Sequence, residues 1–106
     1  MKIKDITDSY IEFDNGNKIT FDHDQDCCEV NYADFLAIKD DVFIDHEFDE
    51  NLEFEEVEDA GFRFGNENAM IFVPCYSEQN GYYTTVVDIY YNGVAVANVY
   101  GEEILY

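Results

Sequence analysis

Three Asn-Gly dipeptides, at 15–16, 80–81 and 92–93, constrain this chain more than any other feature. Asn-Gly is the preferred pair for a hairpin turn with positive φ at both central residues. Each therefore predicts two antiparallel strands whose apolar faces match across the turn. At Asn92-Gly93 a two-residue loop pairs Tyr91 with Val94, Ile89 with Val96 and Val87 with Asn98. At Asn80-Gly81 it pairs Phe72 with Ile89, Met70 with Tyr91 and Pro74 with Val87. The 82–91 strand shows the same apolar face in both hairpins, which predicts a three-stranded meander. Pro74 then belongs on an outer strand, where a missing N–H is tolerated. At Asn15-Gly16 a two-residue loop would set Phe13 opposite Lys18. A three-residue loop, Asn15-Gly16-Asn17, instead pairs Phe13 with Ile19, Ile11 with Phe21 and Asp14 with Lys18, and keeps the faces matched.

One helix is expected after the first hairpin. Asn31 is a capping residue with Asp34 three positions on, and Tyr32, Phe35 and Leu36 share a helical face before Asp40-Asp41. So short a helix needs the sheet to hold it. The expected fold class is α+β: a mostly antiparallel β-sheet built from hairpins, with one short helix. A chain of 106 residues, 47% hydrophobic and 17% aromatic, is one domain spanning 1–106 and is too apolar for a disordered tail. It carries no apolar run of membrane-spanning length and no leader pattern, so it is expected to be soluble and cytoplasmic.

Charge is unevenly placed on this scaffold. Twenty-five acids against five bases give a net −20. Residues 22–59 hold sixteen acids and one base, Lys39. Such a chain repels nucleic acid and anionic membranes directly and attracts basic surfaces or cations. The densest stretch, 45–59, carries Asp45, Glu47, Asp49, Glu50, Glu53, Glu55, Glu56, Glu58 and Asp59 with no base, yet also Phe48, Leu52, Phe54 and Val57. Leu52-Glu53-Phe54-Glu55 alternates like a half-buried strand, and the doubled Glu55-Glu56 predicts a bulge. Alternation sets carboxylates on one face at steps of roughly 6.6 Å, twice the rise of a strand residue. Two readings stand side by side: a solvated sheet face in an acidic protein, and a row that imitates a phosphate backbone.

The segment His23-Asp24-Gln25-Asp26-Cys27-Cys28-Glu29 raises metal and thiol chemistry. Zinc takes about four Cys or His ligands, usually in C-x₂₋₄-C pairs. Adjacent Cys27 and Cys28 point to opposite faces of an extended chain, so one of them at most would share a metal with His23, His46 or Cys75. The surrounding acids raise a thiol pKa, which opposes a reactive thiolate. Core packing of a free cysteine is the quieter reading. Asp22-His23-Asp24-Gln25-Asp26 starts like a calcium loop but has Cys27 where glycine belongs. Phosphate-cradling glycine loops, G-x-S-x-G and H-E-x-x-H are missing, and no catalytic residue, metal ligand or cofactor is assigned. Tyrosines crowd the C-terminal part, where Tyr83 and Tyr90 are candidates for a second, exposed face suited to protein contact.

Two segments, H-D-Q-D-C-C-E at 23–29 leading into Asn31-Tyr32-Ala33-Asp34-Phe35, and P-C-Y-S-E-Q-N-G-Y-Y at 74–83, resemble a family of small uncharacterised proteins. That family is encoded by bacteriophages and mobile elements of low-GC Gram-positive bacteria. In size and charge the chain also looks like the anti-CRISPR proteins. The resemblance implies an origin and carries no catalytic residues. It favours a non-enzymatic DNA mimic that blocks a basic nucleic-acid-binding groove of a bacterial defence nuclease, a CRISPR effector first, in the host cytoplasm. The partner-binding residues would be the nine acids of 45–59. The alternatives are a small metal-binding protein with a structural zinc at His23, Cys27 or Cys28 and Cys75, and a ligand-binding phage accessory protein. An anionic nucleotide would be a poor ligand for a chain with five bases.

Overall fold

A computed structural model describes residues 1–22, 30–40, 46–67, 69–79 and 86–105. Among them the strands are β1 (Ile3–Ile6), β2 (Tyr10–Phe13), β3 (Lys18–Asp22), β4 (Val30–Ala33), β5 (Glu53–Val57), β6 (Gly61–Asn66), β7 (Ala69–Gln79), β8 (Val86–Tyr91), β9 (Val94–Tyr100) and β10 (Glu102–Leu105). They form two sheets. One has the order β1-β2-β3-β8-β9, and the other runs β10-β7-β6-β5 with β4 also paired to β7. All pairs are antiparallel except β10 with β7. No helix among the described residues is long and apolar enough to cross a membrane.

The expected α+β class is overturned: the molecule is essentially all-β, and among the described residues its helical content is one four-residue 3₁₀ turn, Phe35–Ile38. The predicted helix fails because Asn31 and Tyr32 lie in β4, paired with Ser77 and Tyr76 of β7. Asn31 accepts a hydrogen bond from the Ser77 hydroxyl, both side chains fully buried. A buried polar pair that satisfies itself across a ladder outweighs a weak capping preference. Asp34 N–H then donates to the Pro74 carbonyl at 2.8 Å. Proline has no N–H to return, so the β4 ladder stops there and the chain turns. Phe35 and Ile38 are buried, with Phe35 edge-on to Phe21 at 5.6 Å.

The hairpins divide three ways. Asn92-Gly93 turns as expected, with φ of 52° and 80° and Tyr91 opposite Val94. A bulge between Ile89 and Tyr90 then sets Ile89 opposite Ala97 and Val87 opposite Val99, so Val96 is the additional residue. The first hairpin has a three-residue loop, but it is Asp14-Asn15-Gly16: Phe13 N–H bonds the Asn17 carbonyl at 2.8 Å, and Gly16 N–H the Phe13 carbonyl at 3.0 Å. Gly16 takes the left-handed position of such loops, φ 91°. The shift moves the register by two, so Ile11 meets Ile19 and the buried faces survive. The meander across Asn80-Gly81 is overturned. Residues 80–85 lie outside the described residues, and β7 and β8 belong to different sheets. Pro74 accordingly sits in an interior strand, with Gly61 of β6 opposite it and Asp34 on its carbonyl.

The buried side chains of both sheets form one cluster. Its aromatic centre joins Phe13, Phe48 and Phe64, with ring centroids 6.0 to 6.4 Å apart. Each such ring contributes about 1.5–3 kcal/mol by leaving water.

Candidate protein-binding face

Phe48 is 1% exposed although Glu47 and Asp49 on either side are exposed. That contrast organises the acidic segment: apolar side chains tie it to the core and its carboxylates face solvent. The Met1 ammonium donates to the Glu47 carboxylate at 3.0 Å and to the Phe48 carbonyl at 2.7 Å. Asp49 accepts Asn51 N–H at 2.8 Å, an Asx turn, while its own N–H donates to the Asn66 side chain at 2.6 Å. The Tyr91 hydroxyl donates to the Glu50 carbonyl at 2.8 Å and accepts from the Asn17 amide at 2.8 Å. Burial raises the Tyr91 hydroxyl pKa, and the Glu50 and Asp49 charges add to that rise.

β5 is the end strand of its sheet and pairs with β6. Phe54 points inward against Phe62, Phe64 and Tyr91, at 6.4, 6.4 and 5.7 Å. Glu53 and Glu55 point outward, opposite Gly65 and Arg63, and Glu55 forms an ion pair with Arg63. The bulge expected at Glu55-Glu56 is not there: register runs unbroken from Glu53 to Val57. Glu56 consequently shares the face of Phe54, beyond the reach of the core. The hairpin tip closes through Ala60 N–H on the Val57 carbonyl at 3.1 Å, with Asp59 at φ 55°.

The nine predicted partner-binding residues therefore do not form one row. Glu53 and Glu55 stand on the outer face. Glu56, Glu58 and Asp59 line a groove of about 540 Å³ with Tyr100, and Asp59 continues into a second of about 320 Å³ with Gly101, Glu102 and Glu103. Glu47, Asp49 and Glu50 lead into β5, and Asp45 lies outside the described residues. Sequence reasoning missed Tyr100, Glu102 and Glu103. They join the acidic tip because β10 pairs in parallel with β7, a long-range choice with no local periodicity to announce it.

The metal candidates His23, Cys27 and Cys28 also lie outside the described residues. Cys75 is fully buried in β7, and its thiol is pushed up to about 12 by burial, with the Asp34 charge adding. His46 stacks edge-on to Phe48 at 4.5 Å. Among the described residues no three His, Cys, Asp or Glu side chains are gathered in a metal-holding group. Of the tyrosines, Tyr82, Tyr83 and Tyr106 are outside the described residues, Tyr90 is half-buried and Tyr100 is 47% exposed.

No curated protein matches this chain, and no solved structure does. A family model, Domain of unknown function (DUF7448), matches residues 1–89. That span takes in the whole acidic segment but not Tyr100, Glu102 or Glu103. The chain therefore belongs to the DUF7448 family of unknown function.

Proposed function

We propose that this protein is a non-enzymatic acidic inhibitor, a DNA mimic that occupies a basic nucleic-acid-binding groove of a bacterial defence nuclease, in the manner of an anti-CRISPR protein. A phage or mobile-element origin and action in the host cytoplasm belong to the same reading. The observation that carries it is the acidic segment. All eight described acids of 47–59 are exposed, on backbone anchored by buried Phe48 and by Phe54. A preformed array of carboxylates binds a cationic groove without first losing chain entropy, which favours affinity. Guide-loaded CRISPR nucleases hold nucleic acid in positively charged channels, where such an array competes with phosphate.

The test is DNA cleavage by a guide-loaded CRISPR nuclease, with the protein titrated in at low and high salt. Inhibition is expected, fading at high salt because the attraction is between exposed opposite charges. The quadruple variant Glu53→Lys, Glu55→Lys, Glu56→Lys, Glu58→Lys should fold and lose inhibition. A folded variant that inhibits as well as the parent would end the mimicry reading.

A further inference from the structure

The outer face of the second sheet holds a feature that charge mimicry alone does not need. From Ile71 to Ser77 the odd-numbered residues of β7 are buried. The even-numbered ones face outward, and Phe72 is 41% exposed. Register carries this face sideways. Tyr76 is paired with Tyr32 of β4, their rings 5.7 Å apart. On the other side Phe72 is opposite Arg63, which is opposite Glu55. Met70, two residues from Phe72, is opposite Gly65, which is opposite Glu53 and adds no side chain between them. A single exposed phenylalanine is ordinary. Here Tyr32, Tyr76, Phe72 and Met70 form one strip on one face; Arg63 of β6 borders it and is ion-paired with Glu55, and beyond β6 stand the outward acids Glu53 and Glu55 of β5.

We propose that this strip is the apolar centre of a docking surface for a basic protein partner, with Glu53 and Glu55 as its acidic rim. The inference rests on the acidic-inhibitor reading and names how that partner is gripped: an aromatic and methionine centre within a charged rim, the usual composition of protein interfaces. Charge decides the occupant. A second copy would set two chains of net −20 each face to face, whereas a basic partner meets complementary charge.

Two twelve-residue peptides serve as probes, one alternating lysine with leucine and one alternating lysine with serine. Both carry the same charge. The lysine–leucine peptide is expected to bind roughly tenfold tighter, the scale of one good aromatic contact. The variant Phe72→Ser/Tyr76→Ser should lose that preference and keep its affinity for the lysine–serine peptide. Equal binding of both peptides by the parent protein would overturn the docking strip and leave the acidic reading standing. Binding of neither would overturn both. A preference that survives in the double variant would put the apolar contact elsewhere. A dimer in sedimentation that dissociates in the double variant would assign the strip to a second copy and overturn the proposal. Amide-shift mapping on the parent protein reads the same question without any variant. Shifts at Tyr32, Met70, Phe72 and Tyr76 specific to the leucine peptide support the strip, and shifts confined to other faces overturn it.

Discussion

The acidic segment 46–59, which contributes β5 to the same sheet as β7, follows the same rule inward as β7 but differs from it outward. Both place an apolar side chain into the core at intervals: Phe48 and Phe54 in one, Ile71, Val73 and Cys75 in the other. Outward, the acidic segment shows carboxylates, whereas β7 shows Phe72, Pro74 and Tyr76 before its first charge at Glu78. Position in the sheet accounts for part of the difference. β5 is an end strand, and outward charge there discourages pairing with another chain. β7 is hydrogen-bonded along both sides of its second half, by β4 and β10, and needs no such protection. Stability in both regions thus resides in the inward residues, and the outward ones contribute little to it.

The sharpest way to break this comparison is to cut the inward anchor of the acidic segment. Phe48→Ala removes a ring touching Phe13 and Phe64 and should cost about 3–5 kcal/mol, measured from the urea midpoint. A loss below about 0.5 kcal/mol, the surface range, would mean the segment is not held by its apolar side.

The corresponding anchor in β7 is tested by pH. The Cys75 thiol titrates at about 12 in the fold against 9.0 for the unhindered group. Between those values the folded state holds a proton that the unfolded chain has released, so stability falls as pH rises from about 9 toward 12. The effect is on the order of 4 kcal/mol over the whole window. Urea midpoints of the parent protein and Cys75→Ala, followed upward from pH 8, should converge as the pH rises. Parallel curves would show that the thiol is not protected in the core.

The smallest effect belongs to the outward side. Glu55→Gln breaks the ion pair with Arg63, but both side chains are half exposed, and exposed pairs contribute about 0–1 kcal/mol. The urea midpoint should scarcely move. A loss approaching that of Phe48→Ala would dissolve the division between an inward face that holds the fold and an outward one that adds little to it.

Legibility followed the range of the interaction. Alternation across 52–55 put Phe54 inward and its glutamates outward, and the fold agrees, because a strand allows only two faces. Asn92-Gly93 was readable because two positive-φ residues leave the turn little choice. At Asn15-Gly16 the loop length was readable and its frame was not, since the two registers keep the same faces buried and differ only in how Gly16 closes the loop. Asn80-Gly81 misled: matching apolar faces is necessary for pairing, but β7 found its partners in β4, β6 and β10 instead. Tyr32, Phe35 and Leu36 misled similarly, because their spacing also fits a strand running into a tight turn. At the candidate site, the exposure of the acids was legible and their division was not. Glu56 parts from Glu53 and Glu55 because the strand carries no bulge, and it meets Tyr100 only because two distant strands end beside it.

The sequence by itself determined the β-strand periodicity, the location of the charge and which side of each strand is apolar. These depend on backbone sterics and on side-chain hydrophobicity, both local properties. Only the tertiary structure decided which strands pair, that Asn31 faces Ser77 in a sheet, and that the outward residues of β7 stand one strand away from the acidic edge strand β5. Pairing between distant segments is a contest among several apolar faces of similar pattern. What settles it is the packing of the whole core around Phe13, Phe48 and Phe64, which no local stretch encodes.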